Sequence, residues 1–142
     1  MEETEVIAQL ERKGVKATAN RILVLKELHR QNRPVSLSDL ERLMPNMDKS
    51  TIFRTLTLFS EHDIVHGFED GRGMMDYELC ASRGKCNHSD THFHFFCESC
   101  QRTFCLENLH VPDIELPRNF QPHTVSLVIK GICPECASKD NR

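Results

Sequence analysis

Two Cys-x-x-Cys pairs, Cys97-Glu98-Ser99-Cys100 and Cys133-Pro134-Glu135-Cys136, constrain this chain more than any other feature. Two residues between cysteines let one tight turn aim both sulfurs at a single point. Two such turns complete a tetrahedral cage of four thiolates, the coordination that suits structural zinc. Residues 101–132 separate the pairs, more than a minimal zinc ribbon holds, so an inserted strand and helix are expected there. The competing readings are a pair of disulfides or a redox dithiol. With 7 cysteines in the chain, a complete set of internal disulfides would leave one thiol over. Just upstream, His88-Ser89-Asp90-Thr91-His92-Phe93-His94 concentrates imidazole. On a strand, alternating His92-Phe93-His94 turns both imidazoles to one face and the phenyl ring to the other, offering two ligands to one further metal.

A chain of 142 residues makes one ordinary domain or two small ones, and a metal-stapled back end favours two. No charged leader precedes an apolar stretch and no apolar run nears about 18 residues. Neither export nor membrane insertion is expected, and cysteines in a cytoplasmic chain read as metal ligands. The formal charge of −3 conceals a local excess, because the segment from Arg12 to Arg54 holds ten Lys/Arg against four Asp/Glu. Such a run is usually only a solvated face.

Val6, Ile7 and Leu10 keep helical spacing up to Gly14, which readily ends a helix. Thr18 caps a second helix carrying Ile22, Leu25, Leu28 and His29, broken at Asn32-Arg33-Pro34. Ser36-Leu37-Ser38-Asp39 has capping-box form and opens a short third helix with Leu37, Leu40 and Leu43, stopped by Pro45. Asp48 starts a fourth, with Ile52, Leu56 and Phe59 as its buried stripe. Its opposite face holds Lys49, Ser50, Thr51, Phe53, Arg54 and Thr57, a small, hydroxylic and basic surface suited to a recognition helix in the major groove. Arg54 could read guanine or grip phosphate and Phe53 touch a thymine methyl. An ordinary amphipathic helix with Phe53 tucked into the core fits the same pattern equally well.

After Asp63 the period becomes two. Ile64, His66 and Phe68 alternate with Val65 and Gly67, Glu69-Asp70-Gly71-Arg72-Gly73 turns the chain, and Met74 to Leu79 returns. Helices followed by a β-hairpin make a winged helix-turn-helix, with Arg72 the cation at the wing tip. The fold class is therefore α+β: a winged-helix domain over 1–80, a hinge over 81–91 and a small zinc-stabilised α/β domain over 92–142. Within the last, strands are expected from His92 to Cys97, from Arg102 to Leu106 and from Thr124 to Lys130. Between the second and third lies a short helical or irregular stretch broken by Pro112 and Pro117.

Four motifs in order resemble the ferric uptake regulator family of metal-responsive bacterial repressors, across nearly the whole chain. They are Gly14-Val15-Lys16-Ala17-Thr18 with Arg21, Ser50-Thr51-Ile52-Phe53-Arg54-Thr55-Leu56, His92-Phe93-His94 before Cys97-x-x-Cys100, and Lys130-Gly131-Ile132-Cys133-x-x-Cys136. The resemblance implies a homodimer joined through the C-terminal domain, a palindromic double-stranded operator, control of metal-uptake genes, and a bound metal as the switch. It places structural zinc on Cys97, Cys100, Cys133 and Cys136, and DNA contacts at Lys16, Arg21, Phe53 and Arg54. Phe53 replaces the usual tyrosine. For the regulatory metal, it matches His92 and His94 to the His-x-His pair and His66 and Cys80 to ligands of the zinc-sensing branch. These four span the hinge, so a bound ion would fix how the reader is presented.

The chain lacks the family's histidine before Pro34-Val35 and carries Cys105 where an acid is usual. Thiolate with imidazole favours Zn2+ over Fe2+ or Mn2+, so zinc sensing is preferred to iron or peroxide sensing. Phe93 replaces the acid of a second family site, and Cys86, His88, Cys105 and His123 read individually as bystanders. A hydrolase would need an open metal position and a nearby base. His66, Cys80, His92 and His94 already fill four positions, so neither catalysis nor a small-molecule substrate is expected. A zinc-stabilised protein-interaction module without DNA binding is the remaining rival.

Overall fold

Local signals in the first half become helices at the places their chemistry dictates. This computed structural model describes residues 2–70, 72–80, 93–106, 114–122 and 127–140. Helix α1 spans Glu3–Arg12 and buries Val6 and Leu10. Gly14 follows with φ 77°, a conformation that side-chain-bearing residues adopt only under strain, and reverses the chain. Helix α2, Ala19–Gln31, starts where the Thr18 hydroxyl accepts the Arg21 N–H at 3.4 Å, and ends at Asn32 in the left-handed region. Helix α3, Leu37–Leu43, has the expected capping box, with Ser36 and Asp39 bonding reciprocally at 3.1 and 3.0 Å. Helix α4, Lys49–Glu61, buries Ile52, Thr55, Leu56 and Phe59.

Strands β2 (Val65–Glu69) and β3 (Met75–Leu79) form the antiparallel hairpin, with His66 opposite Glu78. A two-residue strand β1, Val35–Ser36, pairs with β3 and completes a sheet of order β1-β3-β2. This strand lies outside what the sequence predicts, because two residues show no periodicity. Three helices from Ala19 to Glu61 and this sheet are a winged helix. Its core joins Leu10, Val24, Leu25, Leu28, Leu40, Ile52, Leu56, Phe59, Ile64 and Val65.

The second sheet has order β5-β4-β6, from β4 (Phe93–Cys97), β5 (Thr103–Leu106) and β6 (Leu127–Gly131). β4 pairs antiparallel with β5 and parallel with β6, ending on the register Cys97 opposite Gly131. A Cβ on Gly131 would stand 3.1 Å from the Phe95 ring, so glycine permits the close approach. Helix α5, Pro134–Asp140, follows; its proline occupies the first helical position, where no N–H is needed. Among the described residues between the cysteine pairs there are strands and no helix. The chain divides into two compact units, Met1–Glu69 with Met74–Cys86, and Asp70–Gly73 with Asn87–Arg142.

Candidate metal centres and nucleic-acid interface

Parallel pairing brings the C-terminal ends of β4 and β6 side by side, and each strand runs directly into a Cys-x-x-Cys turn. The four sulfurs of Cys97, Cys100, Cys133 and Cys136 consequently lie within 4.8 Å of one another, and none is in a disulfide. A tetrahedron with Zn–S bonds of about 2.3 Å has sulfur edges of roughly 3.8 Å. Cys100 and Cys133 stand 3.9 Å apart, so the cage has the size and donor set zinc requires.

The backbone prepares it. Cys97 Sγ accepts the Cys100 N–H at 3.5 Å and the Cys133 N–H at 3.3 Å. Burial pushes the Cys97 thiol up, but these donors and the Ser99 N–H outweigh it and bring it down to about 6. Ser99 favours the Cys136 thiolate, yet hydrogen bonding with Cys133 together with burial pushes that thiol up to about 11. Unequal thiols in one cage share protons that a divalent ion replaces. Phe95 and Phe104 pack against the cluster of buried cysteines.

The candidate regulatory ligands are placed unit by unit. In the first, His66 on β2 faces Glu78 across the ladder, and the Cys80 N–H extends that ladder to the Ile64 carbonyl at 2.9 Å. Glu78 and Cys80, two residues apart on extended chain, point to the same face. In the second unit His94, 6% exposed, lies opposite Cys105 of β5, on the face of the sheet away from Cys97. His92, the hinge 81–91, Cys86, His88 and His123 lie outside the described residues. Within the first unit Glu78 lies opposite His66, a placement findable from its period-two spacing to Cys80; within the second, the pairing of Cys105 with His94 needed the register.

On α4 the face opposite the core is open. Phe53 is 50% exposed, which settles the choice between core and surface, and Lys49, Ser50, Arg54 and Thr57 are exposed with it. Lys49 reaches Glu41 at 3.7 Å, whereas Arg54 has no ion pair among the described residues. Lys16 is exposed before α2, and its carbonyl accepts the Arg21 guanidinium at 3.0 Å. Thr51 spends its carbonyl on the Thr55 hydroxyl at 2.8 Å. Arg72 is held by Asp70, whose buried carboxylate accepts its guanidinium at 2.9 Å and its N–H at 2.7 Å.

A winged helix joined to a four-cysteine sheet module is the architecture of a metal-responsive, DNA-binding regulator. The family model described as the ferric uptake regulator family matches residues 12–129. The chain belongs to the ferric uptake regulator family. It is 25% identical over 148 residues to the peroxide operon regulator of Bacillus subtilis, covering 96% of this chain and 94% of that one. It is 29% identical over 157 residues to the ferric uptake regulation protein of Neisseria meningitidis, covering all of both. Among solved structures, a zinc uptake regulator complexed with zinc and DNA superposes with TM-score 0.69 at 20% identity, covering 100% of this chain and 99% of that one. The Vibrio cholerae ferric uptake regulator gives 0.61 at 20% identity, with 89% and 98% covered. At these identities the structures establish the fold alone: an N-terminal winged helix followed by a small C-terminal sheet module. Among the described residues no helix is long and apolar enough to cross a membrane.

Proposed function

We propose that the protein is a zinc-responsive transcriptional repressor that binds a palindromic operator as a homodimer and controls metal-uptake genes, without catalysis of its own. The observation that carries this reading is the donor set around the histidines. Cys80 continues the strand beside His66 and Glu78, and Cys105 faces His94, so soft thiolate accompanies imidazole in both units. Structural Zn2+ belongs to Cys97, Cys100, Cys133 and Cys136; the regulatory Zn2+ belongs to His66, Cys80, His92 and His94. Lys16, Arg21, Ser50, Thr51, Phe53 and Arg54 form the DNA face, with Arg72 at the wing carrying a cation that Asp70 already partly neutralises. Self-association is supported by apolar side chains left open on the second unit, Ile114 (54% exposed) and Phe120 (65%) among them.

Glu78 favours a second reading, because a carboxylate beside His66 suits Fe2+ or Mn2+ and an iron- or peroxide-responsive regulator. One titration separates the two. Operator duplex recovered by selection from a random pool is titrated with metal-stripped protein reloaded with Zn2+, Mn2+ or, without oxygen, Fe2+. Zinc should tighten binding roughly 5- to 150-fold, the range of common allosteric coupling, and Cys80→Ser should abolish that gain in a folded protein. Tightening by Fe2+ or Mn2+ alone would overturn zinc sensing, and identical affinity with and without any metal would end the regulatory claim.

A further inference from the structure

Arg102, the second residue after the first knuckle, returns the chain to the ladder, where its carbonyl accepts the Cys97 N–H at 3.0 Å. Its side chain turns back onto the cage. Arg102 Nε donates to Cys100 Sγ at 3.3 Å, Nη2 pairs with Glu135, and the guanidinium lies 5.5 Å from the centroid of the Phe104 ring. Glu135 stands between Cys133 and Cys136, so one planar group touches a sulfur of the first knuckle and a side chain of the second.

We propose that Arg102 is a positioning residue for the four-cysteine zinc site: it holds the Cys100 thiolate through an N–H···S bond and, tethered by Glu135, slows loss of the ion to competing ligands. The inference rests on the reading that these four cysteines hold zinc. Four thiolates around one divalent cation leave a surplus of two negative charges, and a guanidinium at hydrogen-bond distance offsets part of it. The bond also draws electron density from Cys100 sulfur. Ligand exchange at a closed tetrahedral site begins when one thiolate leaves, and Cys100, half-buried at the edge of the cage, is the sulfur this contact restrains. Lysine could not replace the group, since a point charge lacks the rigid fork that serves Cys100 and Glu135 while stacking on Phe104.

The test uses the full chain, washed briefly with EDTA to leave the tightly held zinc, and follows transfer to the chelator 4-(2-pyridylazo)resorcinol. Removing an outer partner of a metal ligand commonly costs roughly 10- to 100-fold in affinity, and Arg102→Met should release zinc faster by a factor in that range. In Co2+-substituted protein, the sulfur-to-metal charge-transfer band of Arg102→Met should move to lower energy while the tetrahedral d–d bands keep their intensity. A merely structural arginine would leave that band in place. Release and spectrum both equal to wild type would overturn the proposal. Should Arg102→Met fail to fold, Glu135→Gln decides: several-fold faster release supports the tether and an unchanged rate overturns it. Wild-type protein that retains no zinc would instead remove the underlying zinc reading.

Discussion

Replacing Arg54 by glutamine removes a cation from α4 at little cost to the helix, because the two residues have similar helix propensity. At roughly 100° per residue, Arg54 lies about 200° around the helix from Ile52, on the side away from the core. Lys49 shares its charge with Glu41, whereas among the described residues Arg54 has no ion pair. If Arg54 grips a phosphate, each half-site loses one neutralised charge, and a dimer loses two. The slope of log affinity against log salt then becomes shallower by about 1.8, from about 0.9 per phosphate. The gap between wild type and variant would accordingly narrow by roughly 60-fold for each tenfold rise in salt. If Arg54 reads a guanine instead, the variant loses about 1–3 kcal/mol per half-site and discrimination at one base pair, with little change in slope beyond the lost charge. Fluorescence anisotropy with labelled operator across a decade of salt separates these outcomes. An Arg54→Gln protein matching wild type in both affinity and slope would refute the assignment of this face to DNA.

Gln101 adopts φ 61° at the first knuckle, so Gln101→Gly should relieve a strain of about 1–2 kcal/mol, partly offset by the greater freedom of unfolded glycine. A net gain of about 0.5–1 kcal/mol in urea denaturation of zinc-loaded protein is expected, and a lower midpoint would contradict it. His29 bonds Gln9 at 2.7 Å, tying α2 to α1, and burial pushes its imidazole below the ordinary value while Glu5 pulls the other way. Since the unfolded chain then binds more protons just below about pH 6.5, stability should fall as pH drops through that range. His29→Gln should show a smaller loss between pH 7.5 and 5.5 than wild type; equal losses would rule this group out as the cause.

The first unit was legible because its signals are local. Thr18, the Ser36–Asp39 box and Gly14 act within one turn of chain, and the stripe of Ile52, Leu56 and Phe59 repeats with the helix. Strand β1 escaped because its two residues are recruited by β3 rather than by their own pattern. The four-cysteine cage was equally readable, since Cys-x-x-Cys fixes its own turn. Other pairings were not. Arg102 meets Glu135 of α5 only once the two knuckles are brought together, and His94 meets Cys105 through the β4–β5 register. Whether Phe53 pointed inward depended on packing, which periodicity leaves open and the exposed ring decides.

The parallel register of β4 and β6 would make an ion held by the four cysteines a proofreader of how the chain is threaded. A slip of one residue would displace one knuckle by about 3.3 Å and turn its cysteines to the wrong side. A misaligned chain could then gather only two sulfurs at a time. Cys97 and Cys133 come from separate stretches of chain, so an ion captured by all four sulfurs would certify that the sheet was laid down correctly.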